Sequence, residues 1–500
     1  MPIFLAGVLL ASLCFFFWRR RKGGTNSKEN IPISSPPKLP FIGNLHQLGS
    51  IPHRALYKLA VKHGPLMLLH LGSFPTVVVS SSKLAEEFMR NHDHCFASRP
   101  RLKAPKFMLY GCKDLAFAPY GEYWRQLRKL CVSHLLSSKM VQSFAPLRAH
   151  EVSLLLKKFS AAASENGAVS VTEALNSFTN AVLCRAVFGN SMKDEMSKLF
   201  PELVRLGSRL MSELYIEDYF PALGWLDVLF GLEGKLKRYS QKWDGLLETM
   251  LDERTISTGE GRDRAVNFVD TLLELQKDPT SSKLALAREH IKAILLIMIG
   301  AGIDTSFVIL DWTMAELMCK PNIMRKVQEE IREIVKGEEL VKEEHLSKTQ
   351  YLKAIIKEVL RLHPPAPLLL PRESMLDCQI HNYEIPKNTR IIINAWAISR
   401  DSENWEFPEE FKPERFINCD VDYKGNNFEY IPFGAGRRIC PGMQFATTTI
   451  ELALANLLCF FDWKFPDGIR KEDMDMTESI GITCSRKKCL ELVPIVVKLN

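Results

Sequence analysis

Between Leu284 and Cys319 the chain carries its longest uninterrupted helical pattern, stopped by Pro321, and the centre, Ala293 to Ile303, is uncharged for eleven residues. That run is too short to cross a bilayer, so it predicts a helix buried on all sides. Into this buried helix the sequence inserts Gly300-Ala301-Gly302-Ile303-Asp304-Thr305-Ser306. Glycine weakens a helix, a mid-helix threonine can bond the carbonyl one turn back, and a buried carboxylate is costly without partners. Two readings stand at this point. The glycines serve close helix packing with Asp304 as a polar accident, or a bend makes room for a small ligand with Asp304 and Thr305 as donors.

A second constraint is Phe433 to Gly442, F-G-A-G-R-R-I-C-P-G. Gly434, Gly436 and Gly442 permit φ > 0 and close approach of a flat ligand, while Arg437 and Arg438 place positive charge beside Cys440, a setting that favours a thiolate. The apolar run from Met443 to Phe461 has helical spacing, so the sulfur sits where a loop enters a helix and amide dipoles partly neutralise an anion. A lone cysteine in such a turn is also read as a small buried hydrophobe. Zinc is poorly supported, since no second Cys or His lies within ligand spacing.

The rest of the chain narrows the class. Five hundred residues with 46% hydrophobic and 25% charged content describe a globular chain with a substantial core. A net charge of +7 without long Lys/Arg tracts argues against nucleic acid as a partner, and twelve cysteines without paired spacing fit reduced thiols. Residues 2–18 are uncharged and run into Arg19-Arg20-Arg21-Lys22, which reads as an uncleaved membrane anchor with the remaining chain on the cytoplasmic side. Residues 19–48 form a basic stop and a stiff proline-rich hinge, Pro36 to Asn44, and 49–500 the main globular domain.

Leu66 to Ser80 reads as a hairpin, with Gly72 to Pro75 at the turn. Trp124 and Arg128 share one face of a helix, and an exposed cation stacked on an indole is the plain reading. Glu358 and Arg361, at i,i+3 in the helix from Tyr351 to His363, read by themselves as a solvated pair. Thr477 to Thr483 reads as a turn that reaches into a pocket.

Taken together these motifs resemble the cytochrome P-450 family. Phe433, Gly436, Arg438, Cys440 and Gly442 match its haem-thiolate loop position for position, Ala-Gly-x-Asp-Thr-Ser matches its oxygen-activation motif, and Glu358, Arg361 and Pro413-Glu414-Arg415-Phe416 match its Glu-x-x-Arg and Pro-Glu-Arg-Phe elements. The style is closest to plant microsomal members. The resemblance implies a mainly α fold with a small β region (α+β), in which a long central helix lies over a haem held by the cysteine loop.

By that resemblance Cys440 ligates the iron of haem b, Trp124, Arg128, Arg372 and Arg438 hold its propionates, and Asp304 and Thr305 deliver protons. Glu358, Arg361 and Arg415 lock the fold. Ile297, Ala301, Leu368, Leu369, Ile480 and Ile482 face the substrate. The implied reaction is monooxygenation of an apolar plant metabolite, a terpenoid, alkaloid or phenolic. With no Gly-x-Gly-x-x-Gly after a strand, NADPH acts only through a separate NADPH-cytochrome reductase, with cytochrome b5 as a second donor. That reductase would meet Arg125, Lys129 and Arg437, and the setting is the endoplasmic reticulum membrane. An O2-independent isomerase or dehydratase, and a non-catalytic haem- or lipid-binding membrane protein, are the alternatives.

Overall fold

The computed structural model describes residues 32–189, 194–256, 267–277, 284–479 and 481–498. The expected anchor at 2–18, the basic block after it and Ile480 lie outside the described residues. Helix α1 (Pro52–His63) takes Pro52 into its first turn, where no backbone N–H is needed. Strands β1 (Leu66–Leu71) and β2 (Phe74–Val79) follow as an antiparallel hairpin that pairs Leu66 with Val79 and Leu71 with Phe74. Gly72 turns it at φ 61°, and a Cβ there would come within 2.5 Å of the Tyr219 carbonyl oxygen, so a side chain is excluded twice.

Helices α2 (Lys103–Met108) and α3 (Glu122–Leu130) come next, then the short β3 (Val169–Ser170) and α4 (Val171–Phe188). A roof is built by α5 (Asp194–Ser212), α6 (Ile216–Tyr219), α7 (Trp225–Leu229) and α8 (Leu232–Ile256). Helix α9 (Arg288–Cys319) packs against α4 and α5 and also against α10 (Gln350–Leu362) and α11 (Met443–Phe460). It is capped at Ala287, three residues later than the sequence pattern suggests, and runs unbroken to Cys319. Both α9 and α11 are long and apolar enough to cross a membrane, yet their most apolar windows are 56% and 67% buried inside the fold, which makes them core helices.

Strands β4 (Arg372–Glu373), β5 (Cys378–Ile380), β6 (Tyr383–Ile385), β7 (Arg390–Ile393), β8 (Phe461–Lys464) and β9 (Glu491–Val496) complete three small sheets. Their orders are β1-β2-β7-β4, β3-β9-β8 and β5-β6, with β2 and β7 parallel and the other pairs antiparallel. The helical body and the β1-β2-β7-β4 sheet therefore flank the same loop, Phe433 to Gly442.

Behind that loop, Glu358, Arg361 and Arg415 meet. Arg361 grips Glu358 with Nε and Nη2 at 2.8 and 2.9 Å, and Arg415 Nε donates to the same carboxylate at 3.1 Å. The Glu358 and Arg361 side chains are both 0% exposed, so the solvated-pair reading of their spacing does not hold. The reason is tertiary, since the 399–412 segment closes over them and supplies carbonyl acceptors from Ser399, Pro408 and Glu410.

Candidate active site

The Cys440 loop is shaped by two of its three glycines. Gly434 and Gly436 adopt φ 70° and 66°, and a Cβ on Gly436 would lie 2.1 Å from the Met89 carbonyl oxygen and 2.8 Å from Asp93 Oδ2. Gly442 has an ordinary φ of −88° and lines the cavity with open space around it, so of the two reasons for glycine the turn does not apply there. The loop closes with the Cys440 N–H donating to the Phe433 carbonyl at 3.0 Å. Cys440 then precedes α11, as the pattern requires.

The expected charges beside the sulfur are placed differently. Arg437 turns outward and faces Asp93, with its backbone N–H at 2.8 Å and Nη1 at 3.3 Å from Oδ2. Arg438 runs away from the sulfur, donating to the carbonyls of Ala97 at 2.7 Å and Ala118 at 2.6 Å. The cation that acts on the thiol is Arg128, anchored by Nη2 to the Ile439 carbonyl at 2.8 Å. Burial pushes the Cys440 thiol above its ordinary value, and the Gly442 N–H and Arg128 pull it only part of the way back. Loop charge alone therefore does not make a thiolate here. A metal that binds sulfur supplies the missing stabilisation.

Above the sulfur lies a cavity of about 370 Å³. Gly300, Ala301 and Thr305 of α9 form one wall, and Ile297, Leu369 and Ile482 add apolar surface. The two glycines differ in what surrounds them. A Cβ on Gly302 would press within 3.0 Å of Leu183 on α4, whereas one on Gly300 would meet nothing and would fill cavity space. Room at this wall thus comes at least in part from the side chain that Gly300 lacks, within a helix that is continuous from Arg288 to Cys319. Thr305 donates Oγ1 to the Ala301 carbonyl at 2.7 Å, one turn back.

Three residues expected at the cavity lie elsewhere. Leu368 packs against the cluster of Leu56, Met67 and Leu71, because Leu369 at φ 52° reverses the chain and takes the inward position. Trp124 is behind the wall; its indole N–H donates to the Leu115 carbonyl at 2.9 Å, and its ring lies 4.1 Å from the Arg438 guanidinium and 5.5 Å from that of Arg128. Asp304 points toward α5 and accepts a hydrogen bond from Ser208, which itself lines the cavity. Burial pushes the Asp304 carboxyl up to about 6, with Ser208 and Arg205 pulling the other way.

The lower wall carries Arg99, Arg128, Arg372 and Arg438, and among the described residues no Asp or Glu lines the cavity. Arg372 is held by Asp93 at 2.7 Å and the Ala435 carbonyl at 2.9 Å. Arg99 donates to the carbonyls of Ala116, Leu370 and Pro371. Burial first, then the neighbouring Arg438 and Arg372 guanidiniums, push Arg99 well below its ordinary value. Sequence reasoning missed Arg99; its one signal is a lone charge closing the run Cys95-Phe96-Ala97-Ser98. Four guanidiniums without a carboxylate on the same wall, over a buried thiol, fit a flat ligand with two anionic arms and a thiolate-binding metal.

The cytochrome P450 family model matches residues 33–490. The chain belongs to the cytochrome P450 family. It is 47% identical to cytochrome P450 71A1 of Persea americana over 456 residues, covering 90% of this chain and 91% of the relative. Strychnine-11-hydroxylase of Strychnos nux-vomica is 44% identical, with 97% of each chain covered. Among solved structures, a zebrafish cytochrome P450 with progesterone aligns at TM-score 0.76 and 26% identity, covering 89% of this chain and 99% of that one. As a P450 the chain is an oxygen-incorporating oxidoreductase, and its cofactor is haem with the iron on a cysteine thiolate, which the Cys440 cavity accommodates.

A second cluster, His53, Glu478 and Cys484, brings three metal-ligand types within 4.8 Å, but it is an ion-paired lock. Glu478 accepts from Arg54 Nε at 2.5 Å and His53 Nε2 at 3.1 Å. Burial would raise this carboxyl; the His53 and Arg54 hydrogen bonds prevail and hold it down at about 2. The lock ties α1 to the loop that presents Ile482 and Thr483 to the cavity.

Proposed function

We propose that this P450 inserts one oxygen atom of O2 into an apolar plant specialised metabolite, taking electrons from NADPH through a separate membrane-bound reductase. The observation that carries the reading is the division of one cavity: Arg99, Arg128, Arg372 and Arg438 line its lower wall, and above them Leu183, Ile297, Ala301, Leu369 and Ile482 offer a substrate no charge. The hydroxylase and synthase names of plant relatives, such as the desmethyl-deoxy-podophyllotoxin synthase of Sinopodophyllum hexandrum at 44% identity, support a specialised-metabolite substrate.

When bound, the haem supplies oxygen activation at an iron made electron-rich by thiolate. Cys440 would hold the metal, and Arg99, Arg128, Arg372 and Arg438 would hold the two propionates by charge-assisted hydrogen bonds. Trp124 braces Arg128 and Arg438 from behind. Thr305 Oγ carries a proton at the α9 wall, and Asp304 replenishes it after leaving Ser208. Ile297, Ala301, Leu369 and Ile482 orient the substrate and exclude water.

Exposed Arg125, Lys129 and Arg437 lie near the thiolate side and suit an acidic flavin domain, with cytochrome b5 as a second partner. Phe41, Trp225, Leu229 and Phe230 are 60 to 69% exposed large hydrophobics, a surface suited to the endoplasmic reticulum membrane, which the anchor at 2–18 would cross once. The test is to reduce membranes containing the protein, add CO, and record the red-shifted thiolate Soret band, then to supply reductase, NADPH and a panel of terpenoids and alkaloids. Haem-loaded protein without that band, or a band unchanged in Cys440→Ser, refutes the reading.

A further inference from the structure

Lys103 opens α2, yet its side chain is only 1% exposed. Its ammonium meets three carboxylates from three successive roof elements: Glu217 of α6 at 2.8 Å, Asp227 of α7 at 3.2 Å and Glu233 of α8 at 3.1 Å. A fourth, Asp218, accepts the Lys103 backbone N–H at 2.8 Å. Burial pulls the ammonium toward neutrality, but the hydrogen bonds to Glu217, Glu233 and Asp227 outweigh it and hold the charge. Asp227 is 0% exposed and also accepts the N–H groups of Ile216 and Glu217, so the same carboxylate folds the α6–α7 turn and grips the lysine.

The position of this pin matters more than its strength. On one side of it, Met108 and Leu109 from α2, Met211 near the end of α5, and Tyr239 and Trp243 from α8 line the cavity over Cys440. On the other side, the segment it grips carries Trp225, Val228, Leu229 and Phe230, the exposed apolar face. Because α2 and α8 both line the cavity, parting α2 from α6–α8 would open its wall toward that face. We propose that Lys103 is the positioning residue that sets how fast ligands enter and leave, by latching α2 to the roof; this rests on reading the cavity as the substrate pocket.

The other α2 ties to the roof are single contacts. Ser240 donates to the Phe107 carbonyl at 2.8 Å, Tyr110 just beyond α2 to Asp244 at 2.7 Å, and Lys106 lies 4.0 Å from Glu217. Among the described residues only Lys103 bridges α6, α7 and α8 together. With it removed, three carboxylates face one another around the fully buried Asp227, and Lys237 on Glu233 is too exposed to replace it.

The test uses the haem-loaded full chain and 4-phenylimidazole, whose arrival at the iron shifts the Soret band whatever the natural substrate is. In stopped flow, Lys103→Met is expected to speed association and dissociation together by about tenfold or more, with the dissociation constant moving far less. Lys103→Arg restores slow exchange, and Glu233→Gln, which leaves the Asp227 turn intact, gives the same change at smaller size. Chymotrypsin should also cut the 225–230 segment faster in Lys103→Met. Unchanged rates in Glu233→Gln and Lys103→Met overturn the latch, and if Lys103→Met loads no haem, Glu233→Gln decides alone. Loss of the thiolate–CO band in the unmutated protein instead strikes the functional reading.

Discussion

Glu358→Gln tests the triad behind the haem loop. The substitution preserves shape and removes one charge from a side chain that is 0% exposed, leaving Arg361, also 0% exposed, and the 10% exposed Arg415 without their common anion. Glu358 Oε1 also accepts the Lys412 N–H at 2.8 Å, so the amide that replaces it sets at least one donor against another. Breaking a buried pair in this way costs about 3–5 kcal/mol, against about 0.3–0.5 kcal/mol for a solvated helical pair.

The two readings therefore differ about tenfold. With a urea dependence of about 3 kcal/mol per molar, the buried reading lowers the unfolding midpoint by about 1 M or more. Tryptophan fluorescence follows the global transition, and Trp405, one of eight tryptophans, lies beside the triad with the Arg361 and Arg415 guanidiniums 5.3 and 5.9 Å from its ring. A midpoint within about 0.2 M of the parent protein would refute the burial argument, since that is the shift a solvated pair gives.

Thr305→Ala, which removes the hydroxyl at the α9 wall, should keep haem and NADPH consumption while product per NADPH falls severalfold and peroxide rises; an unchanged ratio removes Thr305 from the proton path. Gly436→Ala places a Cβ 2.1 Å from the Met89 carbonyl at φ 66° and should depress the haem-loaded fraction, read as Soret absorbance per protein; an unchanged fraction removes the need for glycine there. Glu451 is pushed by burial up to about 7, so the folded state binds its proton more tightly than the unfolded state, and stability falls as pH rises from about 4 to 7. Glu451→Gln should flatten that fall, read as urea midpoints at pH 5 and 8.

Much of the fold was legible because its signals are local. The α9 pattern, the β1–β2 hairpin and the helix after Cys440 each follow from periodicity and turn residues within one stretch of chain. The cysteine loop was legible for a similar reason: its ligand, its two positive-φ glycines and its helix lie within ten residues. Side-chain direction was less legible. Arg437 and Arg438 are adjacent to Cys440 in sequence and both turn away from it, while Arg128, more than three hundred residues earlier, is the cation that acts on the sulfur. Leu368 and Leu369, both expected at the cavity, part company because of one positive φ that nothing in the letters announces: Leu369 lines it and Leu368 packs on the sheet side.

By itself, then, the sequence determined the helices, the sulfur and the motif order, since those depend on spacing along one chain. Only the tertiary structure decided which charges share a dielectric. It buried Glu358 with Arg361, gathered four arginines on a wall without a carboxylate, and enclosed Lys103 among three acids. Coulomb energy and desolvation depend on distance and burial in space, and residues 103, 217, 227 and 233 carry no mark of their meeting until the roof folds over the cavity.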